Sequence, residues 1–353
     1  MNPSFWRRRS VFITGHTGFK GAWLTAWLKR SGASVTGYAL APPTRPSLFE
    51  EARVGAGMTS IGGDVRDLPA LRAAVRASAP DVVIHLAAQP LVRASYDDPV
   101  GTYATNVMGT VNLLEAVRSV PDVRVVIVVT SDKCYENRET GQAYAEAEPM
   151  GGKDPYSSSK GCAELATSAY RHSFFRGNGA AKVASVRAGN AIGGGDWATD
   201  RLVPDLVRAF SAGTVASVRH PDATRPWQFV LDPLAGYLTL AEALWTDDRL
   251  AQAWNFGPSD ADIHPVRWIA DRLAVSWGNG ARWREEPAGD RPEAFTLRLD
   301  SARARSSLGW SPRLPVETAV DWIAEFHKAW LSGDCPSAAL VERQIDRFEA
   351  IRR

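Results

Sequence analysis

SVFITGHTGFKGAWLTAWLKR, residues 10–30, is the stretch that decides the fold class of this chain. It reads as a short strand at 10–14, a turn with glycines at 15, 18 and 21, and a helical segment that closes at Gly32. Glycines at this spacing permit a tight turn, let the backbone approach a pyrophosphate and allow close helix packing; the helix amino terminus favours negative charge. The stretch therefore predicts a dinucleotide site; a turn that merely connects strand to helix is the alternative.

Strands and helices continue to alternate through the first half of the chain. Further strands are predicted at residues 33–38, 61–65, 81–88 and 125–129, and a long helix is predicted at residues 99–120. This alternation predicts an α/β fold, a Rossmann-type doubly wound parallel sheet.

The composition of the sequence and the length of its predicted elements change beyond the segment SVRAGN. A glycine-rich loop at 189–197 is followed by shorter strand and helix pieces interspersed with Pro and Trp. We therefore expect a dinucleotide-binding domain at 1–188 and, over the sheet edge, a smaller mixed α/β substrate lobe at 189–353. The chain of this lobe is allowed to cross back to the first domain.

The composition excludes several classes of function. The 353 residues are 45% apolar and 23% charged, with a formal net charge of +2, so no nucleic-acid footprint is indicated. No apolar run is long enough for a membrane span. Cys134, Cys162 and Cys335 are odd in number and lack metal-ligand spacing. We therefore expect no metal site and a reduced, cytoplasmic location.

The end of the second predicted strand leaves the cofactor type open. An NAD site usually has an acidic residue there to hold the ribose, but this chain reads YALAP at 38–42, with Arg45 nearby. Asp64, after the third strand, is interpreted either as a contact to the adenine end or as part of a helix cap. His85, within the fourth strand, is interpreted as a buried core histidine rather than a catalyst.

The most reactive groups follow the strand VVIVV at 125–129. The carboxyl end of this strand delivers Ser131, Asp132 and Lys133 to the edge of the sheet where ligands bind in open α/β folds. Tyr156 and Lys160 are four residues apart and share a helix face if Pro155 opens a helix. A lysine ammonium beside a phenol favours the phenolate, so this pair predicts a base.

The second half contributes cations. Arg201, Arg219, Arg225 and Arg291 lie in or beside predicted loops. Such arginines are either solvated surface or ligands of an anion, and RPWQ at 225–228, ahead of a predicted strand, favours a positioned cation that takes a diphosphate.

These motifs resemble the extended short-chain dehydrogenase/reductases, and within them the CDP-glucose 4,6-dehydratases of nucleotide-sugar metabolism. The turn GHTGFKG, the Tyr-x-x-x-Lys pair and the triplet Ser-Asp-Lys carry the resemblance, with AAQPLVRASY, EPMGG, SVRAGN and IGGGDW. It extends from Val11 to Trp330. Related dTDP-sugar dehydratases carry Thr-Asp-Glu at the triplet, and 4-epimerases carry hydroxyl residues without the acid.

The resemblance implies an NAD-dependent hydro-lyase that converts CDP-D-glucose to CDP-4-keto-6-deoxy-D-glucose and water. Tyr156, helped by Lys160, would take the proton of the 4-hydroxyl, and Ser131 would hydrogen-bond the same oxygen. Asp132 would protonate the departing 6-hydroxyl while Lys133, or a water it holds, removes the hydrogen on carbon 5. A 4-epimerase, a dehydratase acting on another nucleotide sugar and a catalytically silent dinucleotide sensor are the alternatives.

The resemblance also implies two binding sets. The NAD set, which includes Tyr156 and Lys160, is completed by Gly15, Thr17, Gly18, Phe19, Gly21, Asp64, Val65, Leu86, Ala87, Ala88 and Gln89. The substrate set is Arg93, Ser95, Asn190, Arg201, Arg219, Arg225 and Gln228.

Three departures from the family pattern and an assembly are also expected. An aspartate often stands in the family where this chain has Ala41, and histidines are expected near Phe229 and Phe295. These changes bear on cofactor affinity and on the cytidine base, or glucose as the sugar, rather than on the reaction type. The family also implies a homodimer in which the helices at 99–120 and 156–176 form a four-helix bundle.

Overall fold

The computed structural model describes residues 1–177, 179–287 and 295–351. Its strands are β1 (Ser10–Thr14), β2 (Ser34–Ala39), β3 (Thr59–Gly62), β4 (Val82–His85), β5 (Val125–Val129), β6 (Lys182–Ala188), β7 (Asn190–Ile192), β8 (Ala216–Val218), β9 (Thr224–Phe229), β10 (Ala253–Phe256), β11 (Ile263–Pro265) and β12 (Trp283–Glu285).

Helices cover both faces of the main sheet and build most of the smaller lobe. They are α1 (Pro3–Trp6), α2 (Phe19–Arg30), α3 (Leu48–Glu51), α4 (Leu68–Ser78), α5 (Val92–Asp97), α6 (Pro99–Tyr103), α7 (Gly109–Arg118), α8 (Pro155–Ser173), α9 (Leu202–Ser211), α10 (Leu231–Leu244), α11 (Val266–Trp277), α12 (Ala302–Leu308), α13 (Val316–Ser332) and α14 (Ser337–Ala350). Short 3₁₀ turns lie at Asp132–Cys134, Asp248–Leu250 and Asp260–Asp262, and a π-helical turn lies at Ala104–Met108.

The main sheet confirms the predicted doubly wound α/β fold. Within the described residues it has seven strands in the order β10-β6-β5-β4-β1-β2-β3, and every neighbouring pair is parallel. All five residues of β5 are buried, because a parallel sheet flanked by helices is covered on both faces. The carboxyl ends of β1, β4 and β5 meet at one edge, where the candidate site lies.

The second half of the chain builds two different layers. The sheets β11-β9-β7 and β12-β8 form the smaller lobe, with apolar residues of α9, α11 and α13 packed between them. In contrast, β10 pairs with β6 in the main sheet, and α10, α12 and α14 pack on the main core. The chain therefore crosses back after residue 188.

Several predicted elements differ in their bounds. The second strand is shifted by one residue, and the fourth ends at His85 instead of residue 88. The third strand ends at Gly62, and Asp64 folds into a turn by accepting from the Arg66 amide at 2.9 Å. The helix predicted at 99–120 is divided by the π-helical turn between α6 and α7. This turn aims Asn106 inward, as π-bulges often do near functional sites.

No helix in residues 1–177, 179–287 and 295–351 combines the length and apolarity that a bilayer crossing needs.

Candidate active site

Two cavities, of about 420 and 270 Å³, open at the carboxyl edge of the main sheet and meet at the phenol of Tyr156. The larger lies along the glycine turn; the smaller lies between that edge and the smaller lobe. Lys20, Thr130 and Arg201 also line both. A ligand in either cavity thus reaches the same central groups.

The glycine turn has the shape that a dinucleotide needs. Gly15 has φ +77°, and a Cβ there would lie 2.7 Å from the Ala87 nitrogen; one on Gly21 would lie 2.1 Å from the Gly15 oxygen. At Gly18 the nearest atom would be 3.5 Å away, and this residue caps α2 without a side-chain hydrogen bond. The first amides of α2 are therefore open to an anion, so the turn fits the pyrophosphate of NAD.

The predicted NAD set lies around this larger cavity with one exception. The residues at its lining are Gly15, Thr17, Gly18, Phe19, Gly21, Asp64, Val65, Leu86, Ala87, Ala88, Tyr156 and Lys160. Gln89 does not line it, because its side chain donates to the Leu91 carbonyl at 3.0 Å and to Thr102 Oγ1 at 2.9 Å. Its side chain braces the loop after β4, and its assignment as a ribose contact stays a prediction.

The adenine end of the cavity contains a carboxylate that is already engaged. Asp64 accepts from the Arg66 guanidinium at 2.9 Å, and the pKa of its carboxyl is lowered, chiefly by hydrogen bonding to that side chain. Asp67, not Asp64, caps α4 by accepting from the Ala70 amide at 3.0 Å. At the end of β2, the Thr17 hydroxyl donates to the Leu40 carbonyl at 2.9 Å.

His85 is a structural residue, as the sequence predicts. Its Nδ1 lies 2.7 Å from Thr14 Oγ1 and its Nε2 lies 3.2 Å from Thr110 Oγ1. Burial, followed by the charge of Lys160, lowers its pKa to about 3. The ring therefore stays neutral beneath the site.

The 3₁₀ turn after β5 aims the reactive triplet into the smaller cavity. Ser131, Asp132 and Lys133 all line that cavity. The Ser131 hydroxyl donates to Asp132 Oδ1 at 2.9 Å, whereas Asp132 Oδ2 is buried without a hydrogen-bond partner in the described chain. Burial raises the pKa of Asp132 despite the opposing charge of Lys133. A carboxyl in this environment is suited to hold and donate a proton.

Tyr156 and Lys160 stand one turn apart on α8, a helix that begins at Pro155. Asp154 caps it by accepting from the Ser157 amide at 2.9 Å. Further along, Ser159 donates to the Tyr156 carbonyl at 2.7 Å and accepts from Asn106 Nδ2 at 2.8 Å. The π-helical turn thereby fixes the first turns of the catalytic helix.

The protonation of this pair differs from the expectation that lysine would favour the phenolate. Burial raises the pKa of Tyr156 to about 12, and the group that opposes this rise most is the Ser131 hydroxyl, through a hydrogen bond. Burial, followed by the charge of Lys20, lowers the pKa of Lys160 to about 8. The physical reason is desolvation, which penalises the charged form of both groups.

The smaller cavity is lined by ion pairs that join the two lobes. Asp200 lies 3.7 Å from the Arg93 guanidinium and 3.4 Å from that of Arg219. Asp196 lies 3.2 Å from Arg201. The members of the predicted substrate set that line the cavity are Arg93, Asn190, Arg201, Arg219 and Arg225.

Two predicted substrate residues lie elsewhere. Ser95 is fully buried; its hydroxyl donates to the Val92 carbonyl at 2.6 Å and accepts from the Tyr156 amide at 3.1 Å. Gln228 is buried in β9 and donates to the Phe256 carbonyl at 3.0 Å. Gln228 Oε1 is buried without a hydrogen-bond partner in the described chain, and both assignments as substrate contacts stay predictions. RPWQ itself lies within β9 rather than ahead of a strand, and Arg291 lies outside the described residues.

The sequence reasoning missed Lys20, Asp196 and Asp200. Lys20 sits between Phe19 and Gly21 of the glycine turn, and burial, followed by the charge of Arg201, lowers its pKa to about 8. The signal for Lys20 in the sequence is a lysine within a glycine turn of the type that binds phosphate. Asp196 lies within the glycine-rich loop and Asp200 follows it, and only their proximity to arginines in the structure reveals them.

Comparison with known proteins agrees with this geometry. A model of the NAD dependent epimerase/dehydratase family matches residues 11–255. A CDP-glucose 4,6-dehydratase of Salmonella typhimurium is 49% identical over 342 residues, which cover 95% of this chain and 94% of that protein. GDP-mannose 4,6 dehydratase 1 of Arabidopsis thaliana is 27% identical over 338 residues, covering 90% and 89%.

Solved structures share the fold. A dTDP-glucose 4,6-dehydratase from Streptomyces venezuelae with NAD bound superposes with a TM-score of 0.78 at 20% identity, covering 90% of this chain and 96% of that one. A UDP-glucose 4-epimerase from Thermus thermophilus, in complex with NAD, also gives 0.78, at 24% identity and coverages of 90% and 98%. Because dehydratases and epimerases share this fold, the fold leaves the reaction to be argued from the site.

Proposed function

This chain belongs to the NAD dependent epimerase/dehydratase family, and from that premise we propose that it is an NAD-dependent CDP-glucose 4,6-dehydratase. The product is CDP-4-keto-6-deoxy-D-glucose, and one water is released. The observation that carries this proposal is the buried Asp132 carboxyl, with its raised pKa, in the cavity that Tyr156 lines. Oxidation and reduction alone need no such acid, but loss of water does.

The reaction begins with removal of the proton from the sugar's 4-hydroxyl. Tyr156 takes this proton as a phenolate; because burial raises the pKa of Tyr156 to about 12, that form depends on neighbouring positive charge. Ser131, which hydrogen-bonds the phenol, holds the same sugar oxygen. Lys160 supplies positive charge one turn along α8. NAD would be held by the glycine turn and the other residues of the larger cavity, and it would supply the hydride acceptor that oxidation at carbon 4 requires and the hydride donor for carbon 6. Since it ends as it began, the reaction consumes no cofactor.

Elimination is the work of the triplet after β5. A ketone at carbon 4 makes the hydrogen on carbon 5 acidic, and Lys133, or a water it holds, takes that proton. Asp132 gives its proton to the 6-oxygen, which leaves as water while a double bond forms between carbons 5 and 6. When carbon 6 receives the hydride, carbon 5 takes a proton back from Lys133. The proton that Tyr156 took passes to Asp132 by way of the Ser131 hydroxyl, which is bonded to both, so the enzyme returns to its starting state. The net change is one water lost from CDP-glucose.

The nucleotide diphosphate is assigned to the arginines of the smaller cavity. Arg201, Arg219 and Arg225 come from the smaller lobe and Arg93 comes from α5, so an anion between them is approached from two sides. Arginine suits this task because its planar fork pairs with two phosphate oxygens. Asn190, at the start of β7, adds an amide beside them.

A direct assay tests the proposal. The protein is incubated with NAD and, in parallel, with CDP-glucose, dTDP-glucose, UDP-glucose and GDP-mannose; alkali is then added, and the near-ultraviolet absorbance of a 4-keto-6-deoxy sugar is recorded. We expect the signal with CDP-glucose first. An epimer of CDP-glucose without this absorbance would contradict the dehydratase and support a 4-epimerase. The signal with a different nucleotide sugar would keep the reaction and correct the substrate.

We also propose that the protein is a homodimer built on α6, α7 and α8 as a four-helix bundle. The support is a set of exposed apolar side chains along these helices and their π-helical turn: Val100, Tyr103, Met108 and Leu165. Light scattering should give twice the chain mass, and Leu165→Glu should halve it. A monomeric wild-type protein would refute the dimer. A cytoplasmic location, supported by three free thiols, is proposed with it and is tested by cell fractionation.

A further inference from the structure

A buried carboxylate links the two halves of the catalytic apparatus. Glu164, four residues after Lys160 on α8, is 4% exposed. Its Oε2 accepts from Arg187 Nη2 at 2.8 Å and from Ser185 Oγ at 2.7 Å. Its Oε1 accepts from the hydroxyl of Thr130. Two strands and one helix thus converge on a single carboxylate.

The two charges of this cluster, on Glu164 and Arg187, are paired at 2.8 Å, and of the Arg187 nitrogens Nε is buried without a hydrogen-bond partner in the described chain. Burial opposes ionisation of Glu164, but the Arg187 guanidinium holds the pKa of the carboxyl below its usual value. Arg187 also donates to the Tyr135 hydroxyl at 2.7 Å and to the Glu146 carbonyl at 3.1 Å, and Tyr135 donates to Asn255 at 2.7 Å. A buried polar network with every charge paired is rigid, and costly to disturb.

The place of Thr130 in the chain gives the cluster its catalytic meaning. Thr130 is the residue immediately before Ser131, Asp132 and Lys133. A hydrogen bond that fixes the Thr130 side chain therefore also fixes where the triplet begins. Glu164 lies on the helix that carries Tyr156 and Lys160. The bond between Thr130 and Glu164 is therefore a side-chain tie from the strand end that carries the elimination groups to the helix that carries the redox groups.

We propose that Glu164 is a positioning residue that, through Thr130, holds the Ser131, Asp132 and Lys133 triplet in register with Tyr156 and Lys160. This inference rests on the proposed dehydration, since only a reaction that uses both sets on one sugar needs their separation fixed. Glu164 itself touches neither cavity; it acts through the residues it holds.

The expected defect follows from the order of steps. Oxidation uses Tyr156 and Lys160 of α8 with Ser131 alone from the triplet, whereas elimination requires Asp132 and Lys133 to meet the same bound sugar. A misplacement near 1 Å costs about 10²-fold in rate. Loosening the tie should therefore slow elimination more than oxidation, and reduced nicotinamide should accumulate during turnover.

Thr130→Val and Ser185→Ala form a matched pair of variants. Each removes one hydroxyl that donates to the Glu164 carboxylate, but only Thr130 is bonded to the triplet. For Thr130→Val we expect kcat to fall by about 10-fold to 100-fold, the range of a small misplacement. KM should change less than about threefold, because the Thr130 hydroxyl is not assigned to substrate binding, and reduced nicotinamide absorbance should rise. Ser185→Ala should retain kcat, even where its Tm falls equally.

Two more variants separate positioning from direct contact, because Thr130 also lines both cavities. Thr130→Ser keeps the hydroxyl and should restore kcat. Glu164→Asp keeps the charge but shortens the arm; it should reproduce the accumulation of reduced nicotinamide. Combined with Thr130→Val it should add little, as expected of residues acting through one contact.

The outcomes distinguish this inference from the function on which it rests. If wild-type protein forms no 4-keto-6-deoxy sugar from any nucleotide sugar tested, the proposed function fails. If wild-type protein turns over and Thr130→Val matches Ser185→Ala in kcat and in reduced nicotinamide, Glu164 is a structural residue only. Normal kcat in Glu164→Asp would overturn the positioning role in the same way.

Discussion

The cofactor cavity and the substrate cavity share Tyr156 but are built on different physical principles. The first is shaped by backbone: Gly15 and Gly21 leave no room for a Cβ against neighbouring backbone atoms. The second is shaped by charge, with Asp200 bridging Arg93 and Arg219 between the lobes. Substitutions in the cofactor cavity should weaken NAD binding through steric clashes. Substitutions in the substrate cavity should change KM by smaller amounts that depend on salt. The catalytic triplet lines the second cavity, near Tyr156, which the two cavities share.

The largest effect is expected at this triplet. Asp132→Asn removes the proton donor, and we expect dehydration to fall about 10³-fold, within the range for general acid catalysis. Hydride transfer should persist, since Tyr156, Ser131 and Lys160 are unchanged. Stopped-flow absorbance of reduced nicotinamide measures hydride transfer, and the alkali assay measures the product of dehydration. Dehydration at the wild-type rate in this variant would remove Asp132 from the mechanism.

A steric change on the cofactor side comes next. A Cβ at position 21 would lie 2.1 Å from the Gly15 oxygen, so Gly21→Ala should weaken NAD binding about 100-fold, near the upper cost of overpacking. Its Tm without NAD should also fall. Gly18→Ala, whose Cβ meets nothing closer than 3.5 Å, should keep its Tm. Calorimetry of both variants tests this, and unchanged NAD affinity in Gly21→Ala would refute the steric account.

A charge change on the substrate side should be smaller and should depend on salt. Arg219→Gln removes one cation from the cavity, and we expect KM for CDP-glucose to rise about 10-fold, as for a lost charge-assisted hydrogen bond. The dependence of KM on salt should become weaker at the same time. Arg249→Gln, which breaks an exposed pair with Asp247, is the control. Equal KM values in the two variants would contradict the assignment of the diphosphate to this cavity.

The smallest effect concerns pH. The pKa of Lys160 is lowered to about 8 by burial and by Lys20, so its ammonium is present below that pH and is lost as pH rises through it. Turnover should therefore decline on the alkaline side with an apparent pKa near 8. Lys20→Gln removes the neighbouring charge and should move that limb to higher pH. If the alkaline limb of the dependence of kcat on pH does not move in Lys20→Gln, the group that titrates there is not Lys160.

The sequence was informative where function is local in the chain. The glycine turn, the triplet and the Tyr156 and Lys160 pair each occupy a few consecutive positions, so spacing alone predicts which groups share a turn or a helix face. The parallel sheet was predictable for the same reason, because buried strands such as β5 are continuous apolar runs.

Assembly over long distances in the chain was not predictable. Ser95 lies in a polar segment, yet the structure turns its hydroxyl to the Tyr156 amide. Gln228 neighbours Arg225 in sequence, but strand alternation sends their side chains to different surroundings. The pairing of Asp200 with arginines of both lobes requires α5 and two loops to meet, and no pattern along the chain encodes that meeting.

The most direct test of the account follows one deuterium through the reaction. CDP-glucose labelled at carbon 4 is incubated with the protein and NAD in ordinary water, and the product is examined by mass spectrometry and NMR. We expect a 4-keto-6-deoxy sugar with the deuterium on carbon 6 and solvent hydrogen on carbon 5. Deuterium retained on carbon 4 of an epimer, or a deoxy product without it on carbon 6, would contradict a site that joins internal hydride transfer to loss of water.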